Sequence, residues 1–269
     1  MYKKSIVWLR DDLRLKDNPA LSYATNNHEI VSVLYIYNSK NFNQKREAQK
    51  WWLYKSLQCL KSDLLKLNIN LEILSGDEFE VLRTIKKEQN LAIYWNKVYE
   101  PNQANIEKNL INYFGKEKIN HKFFKGNLLL EYHEVVKDDG TPFKVFTPFW
   151  KNAEKRYLEK TPSQPLDTKK LIKKEIIFKN HLALEKILPK KNWYKKFEKY
   201  WLPSEAEALT TLKQFIKNNI SNYSNTRDFP HINGTSKISP YLKHGQISVE
   251  TIWRFCGNIK SKGNGYRKY

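Results

Sequence analysis

The residues whose types and spacing best suit chemistry lie late in the chain, where Gly234-Thr235-Ser236-Lys237-Ile238-Ser239 leads into an apolar-periodic stretch ending at Gly245. Read as a helix start, Gly234-Thr235-Ser236 places hydroxyls beside backbone N–H groups that have no acceptor within the helix. Such a point suits an anion. A diphosphate fits the helix N-terminus, and Thr235, Ser236 and Ser239 add hydroxyl donors without bulk. On spacing alone, an ordinary capped helix is the preferred reading, because Ser and Thr caps open a large share of all helices.

Other chemistries have less support. Six histidines (His28, His121, His133, His181, His231 and His244) show no i, i+4 pairing and no cysteine neighbours, so no metal is expected. No Gly-x-Ser-x-Gly elbow and no Gly-x-x-x-x-Gly-Lys-Ser/Thr loop occurs. Cys59 and Cys256 are too few and too far apart for a disulfide framework, which makes a reducing, cytoplasmic setting the default. The apolar run Ile6–Leu9 is cut short by Arg10, Asp11 and Asp12, so it is read neither as a signal peptide nor as a membrane span, and no membrane partner is expected.

The elements that must carry these residues are α/β in type. Short β-branched and aromatic runs, 5–9, 30–37, 70–74, 91–95 and 119–124, alternate with amphipathic segments, the pattern of β/α units on a doubly wound, five-stranded parallel sheet. In the longest helical segment Trp52, Leu57, Leu60, Leu64 and Leu67 form one apolar stripe. Asp77 with Glu80 fits a capping box, Pro101 a helix start and Gly115 a helix stop. Ligands of such sheets bind beyond the carboxyl ends of the strands, here Arg10, Tyr37, Ser75-Gly76 and the loop 96–103. No Gly-x-Gly-x-x-Gly follows the first strand, so a nicotinamide dinucleotide is not indicated.

Three regions are expected: an α/β domain over 1–130, a connector over 131–203, and a helical region over 204–269 where Leu209, Leu212, Phe215 and Ile216 return at helical spacing. The net charge of +20 suggests a polyanionic partner, with nucleic acid the strongest physical candidate. Because 40 of the 48 basic residues are lysine in a chain also rich in Asn and Ile, biased base composition could account for the excess. Between Lys169 and Lys199 eleven lysines stand against three acids, a run read as a solvated face in preference to a DNA contact.

Three segments together resemble the DNA photolyase and cryptochrome family, most closely the bacterial-type (class I) photolyases that act on cyclobutane pyrimidine dimers. They are Val7-Trp8-Leu9-Arg10-Asp11-Asp12-Leu13-Arg14-Leu15-Lys16-Asp17-Asn18-Pro19-Ala20-Leu21, then Phe143-Lys144-Val145-Phe146-Thr147-Pro148-Phe149, and Arg227-Asp228-Phe229-Pro230 with Gly234–Ser239. The first looks like the family's opening strand and turn, the second like its strand-and-turn segment leaving the α/β domain, the third like the start of its helical FAD domain.

The resemblance implies FAD held by Tyr223 and by a diphosphate cradle of Thr235, Ser236, Lys237, Ile238 and Ser239, with UV-damaged DNA met by Arg227; an ion pair with Asp228 is the alternative for that residue. Lys237 stands where many relatives have Arg, keeping the charge without the bidentate fork. Asn102 and Gln103 align with the loop where folate-using relatives place Asn-Glu. The resemblance thus implies a second, antenna chromophore of folate, deazaflavin or flavin type, and Gln103 lacks the carboxylate for a charge-assisted bond. No catalytic residue is assigned.

The implied activity is that of a deoxyribodipyrimidine photo-lyase: blue-light-driven electron donation from reduced FAD to a dimer flipped out of the duplex, a mode of access photolyases are known to use. A monomer is expected. So is C-terminal truncation, since the family continues well past Tyr269, and with it a chain that is inactive alone. The alternatives are a cryptochrome-type photoreceptor and a non-enzymatic basic nucleic-acid-binding module.

Overall fold

Each of the five β-branched and aromatic runs becomes a strand, and the amphipathic segments between them become the helices that cover both faces. The computed structural model describes residues 4–41, 47–85, 90–158, 164–174, 176 and 178–257. Strands β1 (Lys4–Leu9), β2 (Ile30–Tyr37), β3 (Asn70–Ser75), β4 (Leu91–Asn96) and β5 (His121–Phe124) form one parallel sheet in the order β3-β2-β1-β4-β5. The chain winds outward from β1 to β3, then crosses back to β4, so β1 and β4 flank the point where strand order reverses. Register is set there by Trp8 opposite Trp95.

Alternation along the strands sorts side chains to two cores. Val7, Leu9, Val31, Val33, Leu71 and Ile73 face α1 (Pro19–Asn27) and α2 (Glu47–Leu65). Ile6, Trp8, Leu34, Ile36, Ile93 and Trp95 face α3 (Glu78–Leu82) and α4 (Pro101–Lys116). The caps are readable in the sequence. Asn18 caps α1 through Leu21 N–H with Pro19 following, Asp77 caps α3 through Phe79 and Glu80 N–H, and Glu100 caps α4 ahead of Pro101. Gly115 does not stop α4; it lies in the last turn, and the left-handed residue that reverses the chain is Lys118, φ +54°.

The stripe on α2 divides. Leu57, Leu60 and Leu64 pack on the sheet, whereas Trp51 and Trp52, near its start, reach past the sheet to α6 (Glu205–Asn218) and α8 (Ser239–Lys243). Phe146–Phe149 is not a strand-and-turn but the first turn of helix α5 (Phe146–Leu158). Pro148 is tolerated there because a first-turn N–H has no intrahelical partner to lose.

From residue 164 the chain lies along the sheet. Leu171 and Ile187 are buried in the first core, and Asn180–Leu182 pairs antiparallel with the outer edge of β3 through Ser75 N–H to Asn180 O and Leu182 N–H to Ile73 O. That pairing protects an edge strand that would otherwise present open hydrogen-bonding groups. After α6 come the single turn α7 (Tyr223–Thr226), α8 and α9 (Val249–Gly257). Among the described residues no helix is long and apolar enough to cross a membrane.

Candidate functional site

Two segments with chemistry-bearing residues, the turn after β1 and the loop 234–239, differ in what their polar groups are doing. The first is the turn after β1. Arg14 is 3% exposed, and its guanidinium donates to the carbonyls of Asp17 (3.0 Å) and Gly245 (3.1 Å) and to Asn127 Oδ1 (3.2 Å). The Glu205 carboxylate accepts from the N–H groups of Leu15 and Lys16 at 2.7 and 3.0 Å, and Leu13 N–H donates to His244 O. Ser248, which caps α9 through Thr251 N–H, also bonds the Asp17 carboxylate.

Burial pushes the Asp12 carboxyl up, against Arg14 and bonds from Arg10 N–H and Asn96, and pushes Glu205 up despite its two backbone donors. The turn is thus saturated by internal partners, many from residues 205–254.

Gly245 makes this seating possible. With φ +67° it ends α8 in a Schellman arrangement, in which Gln246 N–H bonds Tyr241 O and Gly245 N–H bonds Leu242 O. A Cβ there would fall on the Asp11 carbonyl, so the backbones touch at that point. Nearby, Trp52 Nε1 donates to buried Gln246 Oε1 at 2.8 Å, and the Trp52 ring meets Tyr241 edge-on at 5.0 Å and stacks near His244. Burial lowers the His244 pKa to about 4, with Asp11 opposing and Lys243 reinforcing the shift.

The second segment is the loop 234–239. Gly234 is buried, and a Cβ on it would lie 2.5 Å from Thr226 Oγ1, so the loop is seated directly on α7. That contact sets the loop of Thr235–Ser239 against α7, which begins at Tyr223 and is followed by Arg227. Thr235, Lys237 and Ser239 are exposed, Ser236 is half-buried with its hydroxyl accepting from Ile238 N–H, and Ile238 is buried in the core with Trp52 and Tyr241.

The helix does not begin at Gly234-Thr235-Ser236. It begins at Ser239, because Lys237 adopts φ +53° and a left-handed residue interrupts any right-handed turn through it. Pro240 in the first turn is consistent with that later start. Tyr223 is half-buried, edge-on to Phe215 at 5.6 Å. The Arg227 guanidinium lies 5.8 Å from the Tyr223 ring and pairs with Asp228 at 3.5 Å, in the open.

At the carboxyl ends of the strands lies a third set. Arg10 pairs with buried Glu107 at 2.6 Å, donates to Asn96 O, and stacks over Trp8 at 4.1 Å. Buried Glu78 accepts from Asn38 (2.8 Å) and from Gln103 Nε2 (3.2 Å). Gln103 Oε1 is buried without a hydrogen bond, whereas Asn102 is exposed and bonds Glu100. The structure therefore separates Asn102 from Gln103: one faces solvent, the other joins the rim.

Sequence reasoning missed Glu205, Gly245, Asn127 and Ser248. Only Gly245, closing a short helix after Lys243-His244, carried a local signal of its role.

Comparison with known proteins bears on both segments. The family model for DNA photolyase matches residues 5–167. A deoxyribodipyrimidine photo-lyase of Agrobacterium fabrum is 36% identical over 251 residues, covering 92% of this chain and 52% of that protein. Cryptochrome-2 of Arabidopsis thaliana is 28% identical over 269 residues, covering 97% of this chain and 44% of that protein. The crystal structure of a class III photolyase from Agrobacterium tumefaciens superposes with a TM-score of 0.85 at 32% identity, covering all of this chain and 56% of that one. That relative carries a class III name where the sequence pointed to class I. The chain spans about half the length of the curated relatives it matches.

Proposed function

The chain belongs to the DNA photolyase family, and from that premise we propose that it serves light-dependent repair of cyclobutane pyrimidine dimers, contributing the α/β domain and one wall of a FAD pocket. The observation that supports this is the seating of Gly234 on Thr226, which sets the loop 234–239 against the short turn that carries Tyr223 and precedes Arg227, with Thr235, Lys237 and Ser239 exposed. The donor set there fits a diphosphate. The exposed Thr235 and Ser239 hydroxyls and the Lys237 ammonium can all turn toward an anion.

When bound, reduced flavin supplies the photoexcited electron that splits the dimer. The chain's own residues hold and orient. Lys237 offsets phosphate charge, Tyr223 presents an aromatic wall braced by Phe215, and Arg227, solvent-facing, exchanges Asp228 for a DNA phosphate. At the sheet rim, the unpaired Gln103 oxygen is an acceptor for an antenna molecule's N–H, a role that Asn102 reaches only from the surface.

Because Thr235, Lys237 and Ser239 are exposed, the 269-residue chain is expected to hold FAD weakly. Titration of the purified chain with FAD should show weak binding that pyrophosphate displaces and that Thr235→Ala with Ser239→Ala abolishes. Binding unaffected by both pyrophosphate and the variant would remove the cradle. Stoichiometric flavin surviving gel filtration, with blue-light repair of a dimer-containing oligonucleotide, would overturn the single-wall reading.

The cryptochrome among the relatives supports a second reading, a blue-light photoreceptor. In a chain extended to the relatives' length, normal flavin photochemistry without dimer splitting would select it.

A further inference from the structure

The lysine-rich run reads from sequence as a solvated face, but its structure is more specific. Residues Asn192–Lys199 form a 3-10 helix, in which positions three apart share a face. Tyr194 and Phe197 share the inward face, half-buried against the core built on Trp51 and Trp52. Trp193, Lys196 and Lys199 share an outward face, Lys195 projects beside them, and Lys186, Lys190 and Lys191 precede them, all exposed.

Some exposed lysines find acids, as Lys66 does with Asp63 and Lys243 with Asp11. Here, among the described residues, none of these six lysines (Lys186, Lys190, Lys191, Lys195, Lys196, Lys199) forms an ion pair, and the local acid Glu198 is taken by Lys55 at 2.8 Å. Two large aromatics stand among the charges. Trp193 is 37% exposed and held in place by its Nε1 bond to Glu47 at 2.8 Å, and Tyr200 is 72% exposed at the end of the helix.

We propose that this 3-10 helix and the lysines before it form a lesion-independent contact for single-stranded nucleic acid, the ammonium groups tracking phosphates and Trp193 and Tyr200 stacking on bases. Single strands are favoured over duplex because only unpaired bases offer a face to an exposed ring. Uncompensated ammonium groups gain from counterion release, which gives the interaction a salt dependence set by the number of phosphates met. The inference is independent of the flavin reading, since neither light, flavin nor a lesion enters it.

The test is fluorescence anisotropy of the purified chain with an undamaged oligothymidylate of about twenty nucleotides, set against a duplex of equal length. A variant with Lys190, Lys191, Lys195 and Lys196 all changed to Gln should bind the single strand about tenfold more weakly at moderate salt, with a log–log salt slope shallower by up to about 3. A control with exposed Lys108, Lys116, Lys118 and Lys137 changed to Gln removes the same charge elsewhere and should stay within about twofold of the parent, as expected for a local contact.

Tyr200→Ala should lower the preference for single strand over duplex and leave the salt slope unchanged. Equal losses in the two lysine variants would reduce the effect to net charge and overturn the proposal. So would duplex binding as tight as single-strand binding, or equal affinity for phosphatidylserine vesicles lost in the same variant.

Discussion

The turn 10–18 and the loop 234–239 are both polar, both carry family-like motifs, and are used in opposite ways. In the turn, Arg14, Asp12 and Asn18 are buried and bonded within the protein, to partners up to 231 positions away. In the loop, Thr235, Lys237 and Ser239 face solvent on a backbone fixed by Gly234 and Ile238. Polar groups already satisfied by the fold serve assembly, whereas those held on a rigid backbone without partners are available to a ligand. The most motif-dense stretch of the chain is therefore a docking surface for residues 205–254, and the sparser one is the candidate binding face.

That contrast can be broken most directly at Arg14. Arg14→Ala should cost about 3 to 5 kcal/mol, because it leaves the Gly245 and Asp17 carbonyls short of a donor and Asp12 without the stronger of its two cations. Urea melts would measure it, and a loss below about 1 kcal/mol, the range of an exposed pair, would refute the docking role.

Gly245→Ala comes next, at about 2 to 4 kcal/mol, from a left-handed φ and from overlap with the Asp11 backbone. Its melt should also lose the tertiary signal of the Trp52 cluster.

A smaller effect is expected from acid. The folded-state pKa of His244 is lowered to about 4, so the unfolded chain binds its proton more tightly. Its contribution is complete above about pH 6.5 and shrinks as pH falls toward 4, by roughly 2 to 3 kcal/mol. Asp12 and Glu205, whose carboxyls are raised by burial, act in the opposite sense, since acid favours their folded forms. The difference between parent and His244→Gln melts across pH 7 to 4 isolates the histidine, and parallel curves would deny its burial an energetic role.

The smallest effect belongs to the loop. Thr235→Ala and Ser239→Ala should each change stability by less than about 0.5 kcal/mol, as for exposed groups without partners. A cost near that of Arg14→Ala would erase the distinction between the two segments.

Strand positions, the cap at Asp77 and the helix start at Pro101 follow from local spacing. Apolar alternation and capping chemistry act within a few residues, and so are legible in one dimension. The sequence misplaced what depends on a single backbone angle or a distant partner. Ser236 reads as the opening of a helix until Lys237 turns left-handed, and Trp52 reads as one more residue of the α2 stripe until α8 is set against it. Phe146–Phe149, which resembles a strand, is a helix because its aromatic residues pack along one side at i, i+3 and i+4 spacing with Trp150.

By itself the sequence determined the parallel sheet and the family resemblance, since side-chain type and period decide which face each residue takes. Only the tertiary structure decided which polar groups are consumed and which remain. Glu205 caps a turn some 190 positions away, Gly245 lies on the Asp11 backbone, and, among the described residues, the lysines from 186 to 199 form no ion pair. The physical reason is that a hydrogen bond or ion pair needs its partners within about 3 to 4 Å, a separation created by packing and not encoded in spacing along the chain.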